Sequence, residues 1–142
     1  MSYVIHRRQF VVEWGDCDPA GIVFNSNFFV FFDSSTWAMF EAVLGVNRSA
    51  ISPTFDMMGF PLVDARGRFL KPVKFGDLAE IVSHVSEFRR SSFDVQHQLT
   101  IGGELAAEGT ETRVWAGRDP ENPEKIKAKP IPAEVIERFR AR

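Results

Sequence analysis

Asp16 and Asp18 stand one residue apart in the stretch WGDCDPAGIVFNSNFFVFFD, residues 14–33, ahead of a nearly unbroken apolar run from Phe28 to Phe32. A carboxylate can attack an electrophilic carbonyl carbon or take a proton from a water. The start of a helix follows directly, where unpaired backbone N–H groups and partial positive charge can hold a carbonyl oxygen as it becomes an oxyanion. Here those groups lie near Asn25. An acid next to a helix N-terminus suits thioesters, which are electrophilic and release a good thiolate leaving group. A polar, well-capped turn is the plainer reading of the same residues, and the local pattern accommodates both.

Other chemistries find little support. There is no G-x-S-x-G elbow, Walker-type loop or G-x-G-x-x-G segment. His6, His84 and His97 are scattered, with none at metal-ligand spacing. His97 falls on the apolar face of its segment and reads as a hydrogen-bonded core histidine. Cys17 lies between the two acids, which disfavour its thiolate. The net charge of −2 provides no global basic field for nucleic acid or an anionic membrane. One cysteine excludes an intrachain disulfide and fits a reducing compartment. The opening MSYVIHRRQF lacks the apolar core of a signal peptide, and Phe28–Phe32 is too short to span a bilayer. The expectation is a soluble, cytoplasmic protein without metal or redox cofactor and without nucleic-acid or membrane partners.

These residues need a scaffold. The chain has 142 residues, a length expected to form a single domain over 1–142 with a sizeable core. Its 14 phenylalanines against one tyrosine, Tyr3, suggest a dry core or a dry pocket. Gln9–Trp14 alternates as a half-buried strand with Phe10, Val12 and Trp14 on one face. After the loop, Asn25 or Ser26 is placed to cap a helix over about 27–44, ended by Gly45. Its first turns are apolar all round, so it should be buried on most sides. A loop through Pro53 leads to strands over 61–73, 78–88, 92–101 and 105–117, with Gly102–Gly103 as a hairpin turn and Gly109 as a bulge or close approach. A short C-terminal helix opens at Pro132. The fold class is α+β: a long central helix wrapped by a curved antiparallel sheet of about five strands, with an open edge that favours pairing into dimers.

The run GDCDPAGIVFNSNFFVFFD, with FRRSSF at 88–93 as a second match, resembles the 4-hydroxybenzoyl-CoA thioesterase family of the hot-dog fold over nearly the whole chain. The resemblance implies that Asp18 is the catalytic acid, as nucleophile or general base, and that the backbone N–H at Asn25 polarises the thioester carbonyl. Family members usually carry Tyr or His at the place of Asn25; backbone donation survives that change. Asp33 matches the polar contact to the acyl group, and it should meet a donor on the substrate or on the protein. Arg89, Arg90 and Ser91 match the place where the phosphates of coenzyme A are held. Phe24, Phe28 and Phe29 are expected as pocket walls, with Phe60 from a facing segment.

The implied activity is hydrolysis of a small aromatic, hydroxybenzoyl-like acyl-CoA, with coenzyme A part of the substrate. Sites in the family lie between subunits, which implies a homodimer assembling to a homotetramer. Rival readings are a thioesterase for short aliphatic acyl-CoA or acyl-carrier-protein substrates, and a non-catalytic acyl-CoA-binding module.

Overall fold

The computed structural model describes residues 2–141. Strand β1 (Ile5–Val11) is followed by a single 3-10 turn at Trp14–Asp16, the long helix α1 (Asn25–Leu44) and a short helix α2 (Arg48–Phe55). Then come β2 (Leu62–Phe69), β3 (Leu78–Phe88), β4 (Ser92–Ile101), β5 (Glu104–Val114), a small ribbon of β6 (Ala116–Arg118) with β7 (Ile126–Ala128), and helix α3 (Ala133–Phe139). The main sheet has the order β1-β3-β4-β5-β2, and all of its pairings are antiparallel. This is the helix-in-sheet arrangement read from the sequence.

Alternation explains why the sheet closes on one side of α1. Phe93, Val95, His97 and Leu99 of β4 are buried, while Asp94, Gln96 and Gln98 face outward. Inward residues form two apolar clusters beneath the two halves of α1. Phe28, Phe31 and Phe32 pack with Val12, Ile81 and Leu99, whereas Met39, Phe40 and Leu44 pack with Phe93, Trp115 and Phe139. Between the clusters one rung crosses all five strands through His6, Ser83, His97, Gly109 and Gly67. Phe32 lies over this rung, stacked on His97 with ring centroids 5.0 Å apart.

Gly109 is therefore a close approach rather than a bulge. A Cβ there would fall 2.6 Å from the Phe32 ring, a separation real Cβ atoms do not tolerate. Gly109→Ala should overpack this crossing, costing about 1–3 kcal/mol, and a thermal melt should show a drop of several degrees.

Five local expectations change. Trp14 leaves the strand for the 3-10 turn and is 59% exposed, because β1 ends at Val11. Helix α1 starts at Asn25, and Phe24 is its N-cap; neither Asn25 nor Ser26 caps it. Residues 48–55 are helical despite Pro53, which lies inside the helix. The strand expected over 105–117 breaks at Trp115, whose buried ring packs against Phe55 and Phe60. Finally, α1 is not covered on every side: Val30 is 56% exposed and Phe24 53%.

Candidate active site

Asp18, Pro19, Ala20 and Gly21 form a tight turn: the Gly21 N–H donates to the Asp18 carbonyl at 2.9 Å. Asp at the first position, Pro at the second and Gly at the fourth are the residues such a turn favours. The turn tips a small hairpin, with Asp18 N–H donating to the Ile22 carbonyl and Cys17 bridged to Val23. Backbone bonds from Val23 to Val73 and from Phe75 to Gly21 fasten the hairpin to the segment before β3. Pro19 offers no N–H to the Asp18 carboxylate, but Ala20 does, at 2.8 Å to Oδ1. One carboxylate oxygen is thus fixed, and Oδ2 accepts no hydrogen bond among the described residues.

Asp16 is committed to the scaffold. Its Oδ2 accepts from the Glu13 N–H at 2.9 Å, and its carbonyl accepts from the Phe24 N–H at 3.0 Å and from Asn27 Nδ2 at 2.8 Å. The Asn27 side chain thereby clamps the loop to the first turn of α1. The sequence reading gave Asn27 no role, because its partner is a backbone carbonyl in a loop.

Asn25 occupies the first helical position and Ser26 the second, so their N–H groups have no carbonyl one turn back. Both residues are exposed. The Asp18 turn and these N–H groups are presented by one continuous loop held at both ends. Because Phe24 is the cap and the Asn25 side chain makes no hydrogen bond among the described residues, Asn25→Ala should leave the melting temperature within a degree or two. Activity should stay within about tenfold of the parent, since backbone donation persists; a larger loss in single-turnover rate with folding intact would show that the side chain takes part.

The expected wall residues divide. Phe28 is buried and packs on Phe69, its centroid 4.9 Å away; half-buried Phe29 meets Phe69 edge-on at 6.1 Å. Phe24 stands exposed at the helix entrance. Phe60 is not beside them. It is 3% exposed and packs against Trp37, Phe40, Phe93 and Trp115, under the other half of α1. The segment before β2 runs inward there, so Phe60 serves the core of its own chain and not the wall of this site.

Asp33 meets a donor on the protein. Arg113 Nη2 donates to its Oδ1 at 2.6 Å, while the Asp33 side chain stays 50% exposed. Arg113 is itself buried, and no local pattern pointed to it, because its partner lies 80 positions away.

Arg89, Arg90 and Ser91 make the turn between β3 and β4, which frees the two arginines from strand alternation. Arg89 is occupied: its guanidinium donates to Asp94 at 2.7 and 3.0 Å and to Glu87 at 3.0 Å, and its Nε to Ser92. Those carboxylates raise its pKa, the Asp94 hydrogen bond first among the causes. Arg90 is exposed, and its side chain has no partner among the described residues. Cys17 is unsuited to nucleophilic work, since burial and then the charges of Asp16 and Asp18 raise its pKa. Among the described residues, no group of three or more His, Cys, Asp or Glu side chains is placed to hold a metal ion, and no single helix is long and apolar enough to cross a membrane.

Comparison with known proteins adds to this geometry. Residues 12–139 match the thioesterase-like superfamily. Over 132 residues, 89% of this chain and 91% of the relative, the sequence is 32% identical to a 4-hydroxybenzoyl-CoA thioesterase of Pseudomonas sp. (strain CBS-3). A solved 4-hydroxybenzoyl-CoA thioesterase with an aspartate replaced by asparagine, complexed with 4-hydroxybenzoyl-CoA, superposes with a TM-score of 0.84 at 27% identity, covering 96% of this chain and 99% of that one. A gentisyl-coenzyme A thioesterase superposes with a TM-score of 0.81 at 30% identity, covering 95% and 100%.

Proposed function

Since the chain belongs to the thioesterase-like superfamily, within the 4-hydroxybenzoyl-CoA thioesterase family of the hot-dog fold, we propose that its acyl-CoA thioester hydrolase activity is directed at a small hydroxylated aromatic acyl group, with Asp18 as the catalytic carboxylate. The observation that carries the reading is the loop itself. Among the described residues it offers one unengaged oxygen of Asp18 and, on the same strap, the N–H groups of Asn25 and Ser26, which have no carbonyl one turn back.

In this mechanism the thioester carbonyl oxygen accepts hydrogen bonds from those N–H groups, and the helix end stabilises its growing negative charge. Asp18 then acts in one of two ways. It attacks the carbonyl carbon, the C–S bond breaks, coenzyme A leaves as thiolate, and water cleaves the resulting mixed anhydride. Alternatively it takes a proton from a water that attacks the same carbon. Both give the free acid and coenzyme A, and neither needs a metal or redox cofactor. Phe24, Phe28, Phe29 and Phe69 supply an apolar setting for an aromatic ring, and the hydroxylated acyl groups named for the relatives agree with a half-exposed acceptor at Asp33.

Edge strand β2 favours a homodimer; the pairing of dimers into a homotetramer rests on the family resemblance. Its outer backbone edge pairs with no strand among the described residues, and Leu62, Val63 and Phe69 on it are 48%, 60% and 44% exposed. Pairing there would hide an apolar edge that is otherwise prone to aggregation.

The deciding experiment is a thiol-release assay over a panel of hydroxybenzoyl, benzoyl, short aliphatic and acyl-carrier-protein thioesters. Fastest turnover is expected on hydroxylated aromatic acyl-CoA. Preference for aliphatic or carrier-protein substrates would favour the rival enzyme reading, and binding without turnover of any thioester would make the protein a ligand-holding module. In the same assay Arg90→Ala should raise KM roughly three- to tenfold with little change in kcat, because an exposed phosphate contact binds substrate and transition state alike. Arg89 and Ser91 flank the same contact, Arg89 with its charge already shared by Asp94 and Glu87. Pantetheine thioesters that lack the nucleotide should not respond to the change at Arg90; an equal response would overturn its assignment.

A further inference from the structure

A continuous hydrogen-bonded chain of side chains runs through the interior between the two apolar clusters and ends at Asp33. Ser83 Oγ contacts His97 Nδ1 at 2.7 Å; His97 Nε2 lies 3.1 Å from Glu111 Oε1, which also accepts from Thr36 Oγ1 at 2.5 Å. Arg113 binds Glu111 through Nε at 3.1 Å and Nη2 at 2.8 Å, and reaches Asp33 through Nη2 at 2.6 Å. Its Nη1 donates to the Phe60 carbonyl at 3.0 Å. Ser83, Thr36, His97, Glu111 and Arg113 are all at most 4% exposed, whereas the Asp33 side chain is 50% exposed.

All three guanidinium nitrogens are engaged, so Arg113 cannot turn without leaving Glu111 Oε2 or the Phe60 carbonyl unpaired. A buried ion pair of this kind is a poor route to stability alone, because well-packed apolar residues often do as well. What it supplies is a fixed direction. Asp33 Oδ1 is held by Arg113, and Oδ2 accepts no hydrogen bond among the described residues. An ionised carboxylate is acceptor-only.

We propose that Arg113, braced by Glu111, is a positioning residue for substrate selection: it holds Asp33 as a rigid acceptor that selects acyl groups bringing a hydroxyl O–H to it. The inference rests on the thioesterase reading for the nature of the ligand, but not on the role of Asp18. A free helical aspartate would have to give up rotamer freedom on meeting each substrate; here that cost is met when the protein folds. Through the Phe60 carbonyl the same guanidinium ties the lead into β2 to Asp33, so the acceptor keeps its place relative to the sheet edge.

The test compares dissociation constants for two coenzyme A thioethers that cannot be hydrolysed, 4-hydroxyphenacyl-CoA and phenacyl-CoA. The parent should bind the hydroxylated member at least about tenfold more tightly, as expected for a hydrogen bond to a charged group. Arg113→Gln should reduce that ratio to within about threefold of unity, and Arg113→Lys should give an intermediate ratio, because one ammonium cannot keep the three partners. In case Arg113→Gln does not fold, the double variant Glu111→Gln with Arg113→Gln removes both buried charges together and leaves neither unpaired. A folded variant that keeps the parental ratio would overturn the positioning role, since general loosening weakens both ligands alike. A parent without preference, or one that binds neither ligand, would overturn the acceptor role of Asp33. Loss of the catalytic reading alone would look different: no thioester turnover, with the binding preference intact.

Discussion

Asp18→Asn should lower kcat by at least about 10³ while leaving the fold and acyl-CoA affinity in place, since a general base alone contributes 10²–10⁴. The substitution is nearly isosteric, and the amide oxygen can still accept from the Ala20 N–H that holds Oδ1. The anion that attacks or deprotonates water is lost. The helix N-terminus, the aromatic residues and Arg90 remain, so binding should persist. Asp16→Asn is the control, because Asp16 accepts from the Glu13 N–H within the 3-10 turn and its carbonyl anchors Phe24 and Asn27. Its cost should appear as stability, about 1 kcal/mol, rather than as rate. Single-turnover hydrolysis, a thermal melt and a binding titration on both variants separate these effects. A folded Asp18→Asn protein that turns over near the parental rate would remove Asp18 from the chemistry.

Glu111→Gln should cost about 3 kcal/mol and lower the melting temperature by roughly 10 °C, the lower end for breaking a buried ion pair. The lower end applies because Arg113 keeps Asp33 and the Phe60 carbonyl. The acid limb carries the sharper signature. Burial pushes the Glu111 carboxyl up, but hydrogen bonds from His97 and Arg113, with their charges, together outweigh it and hold it at about 2 against an ordinary 4.5. The folded protein thus binds this proton less readily than the unfolded chain. The stabilisation is complete above about 4.5 and is lost as pH falls through 4.5 towards 2. Melts taken across that window should show the parent losing stability more steeply than the Gln variant. Parallel acid limbs would mean that Glu111 does not carry this linkage.

What the sequence disclosed was local. The alternation of 92–101, the apolar run after Asn27 and the Gly102–Gly103 turn each lie within one element, and the structure reproduces them. The loop acids were legible for the same reason: turn chemistry and the coming helix are written within a dozen residues. The features that were missed are made by pairing at a distance. Glu111 and Arg113 share a face of β5 by alternation, but the register that sets Gly109 opposite His97 is what brings Glu111 to His97, and Asp33 reaches Arg113 from another element. Phe60 was misplaced because nothing nearby shows which half of α1 its segment meets. Pro53 misled in the opposite way, as a breaker seated inside a helix whose neighbours hold it in place.

The strand order has a consequence for how the chain is made. β1 is synthesised first, yet its partner is β3, with Ile5 opposite His84. Helix α1 lies between them in the chain and ends at Leu44, roughly 70 residues before the end of β5 at Val114. At ribosomal speed the strands that cover Phe28, Phe31 and Phe32 arrive on the order of 4–14 s after the helix itself. For the first part of that interval, until β3 ends at Phe88, β1 has no strand to pair with and the most apolar segment of the protein lacks the sheet that covers it. Yield in a cell then depends on what shields one nascent helix for those seconds, and slowing translation across 62–114 should lower it even though the finished protein is unchanged.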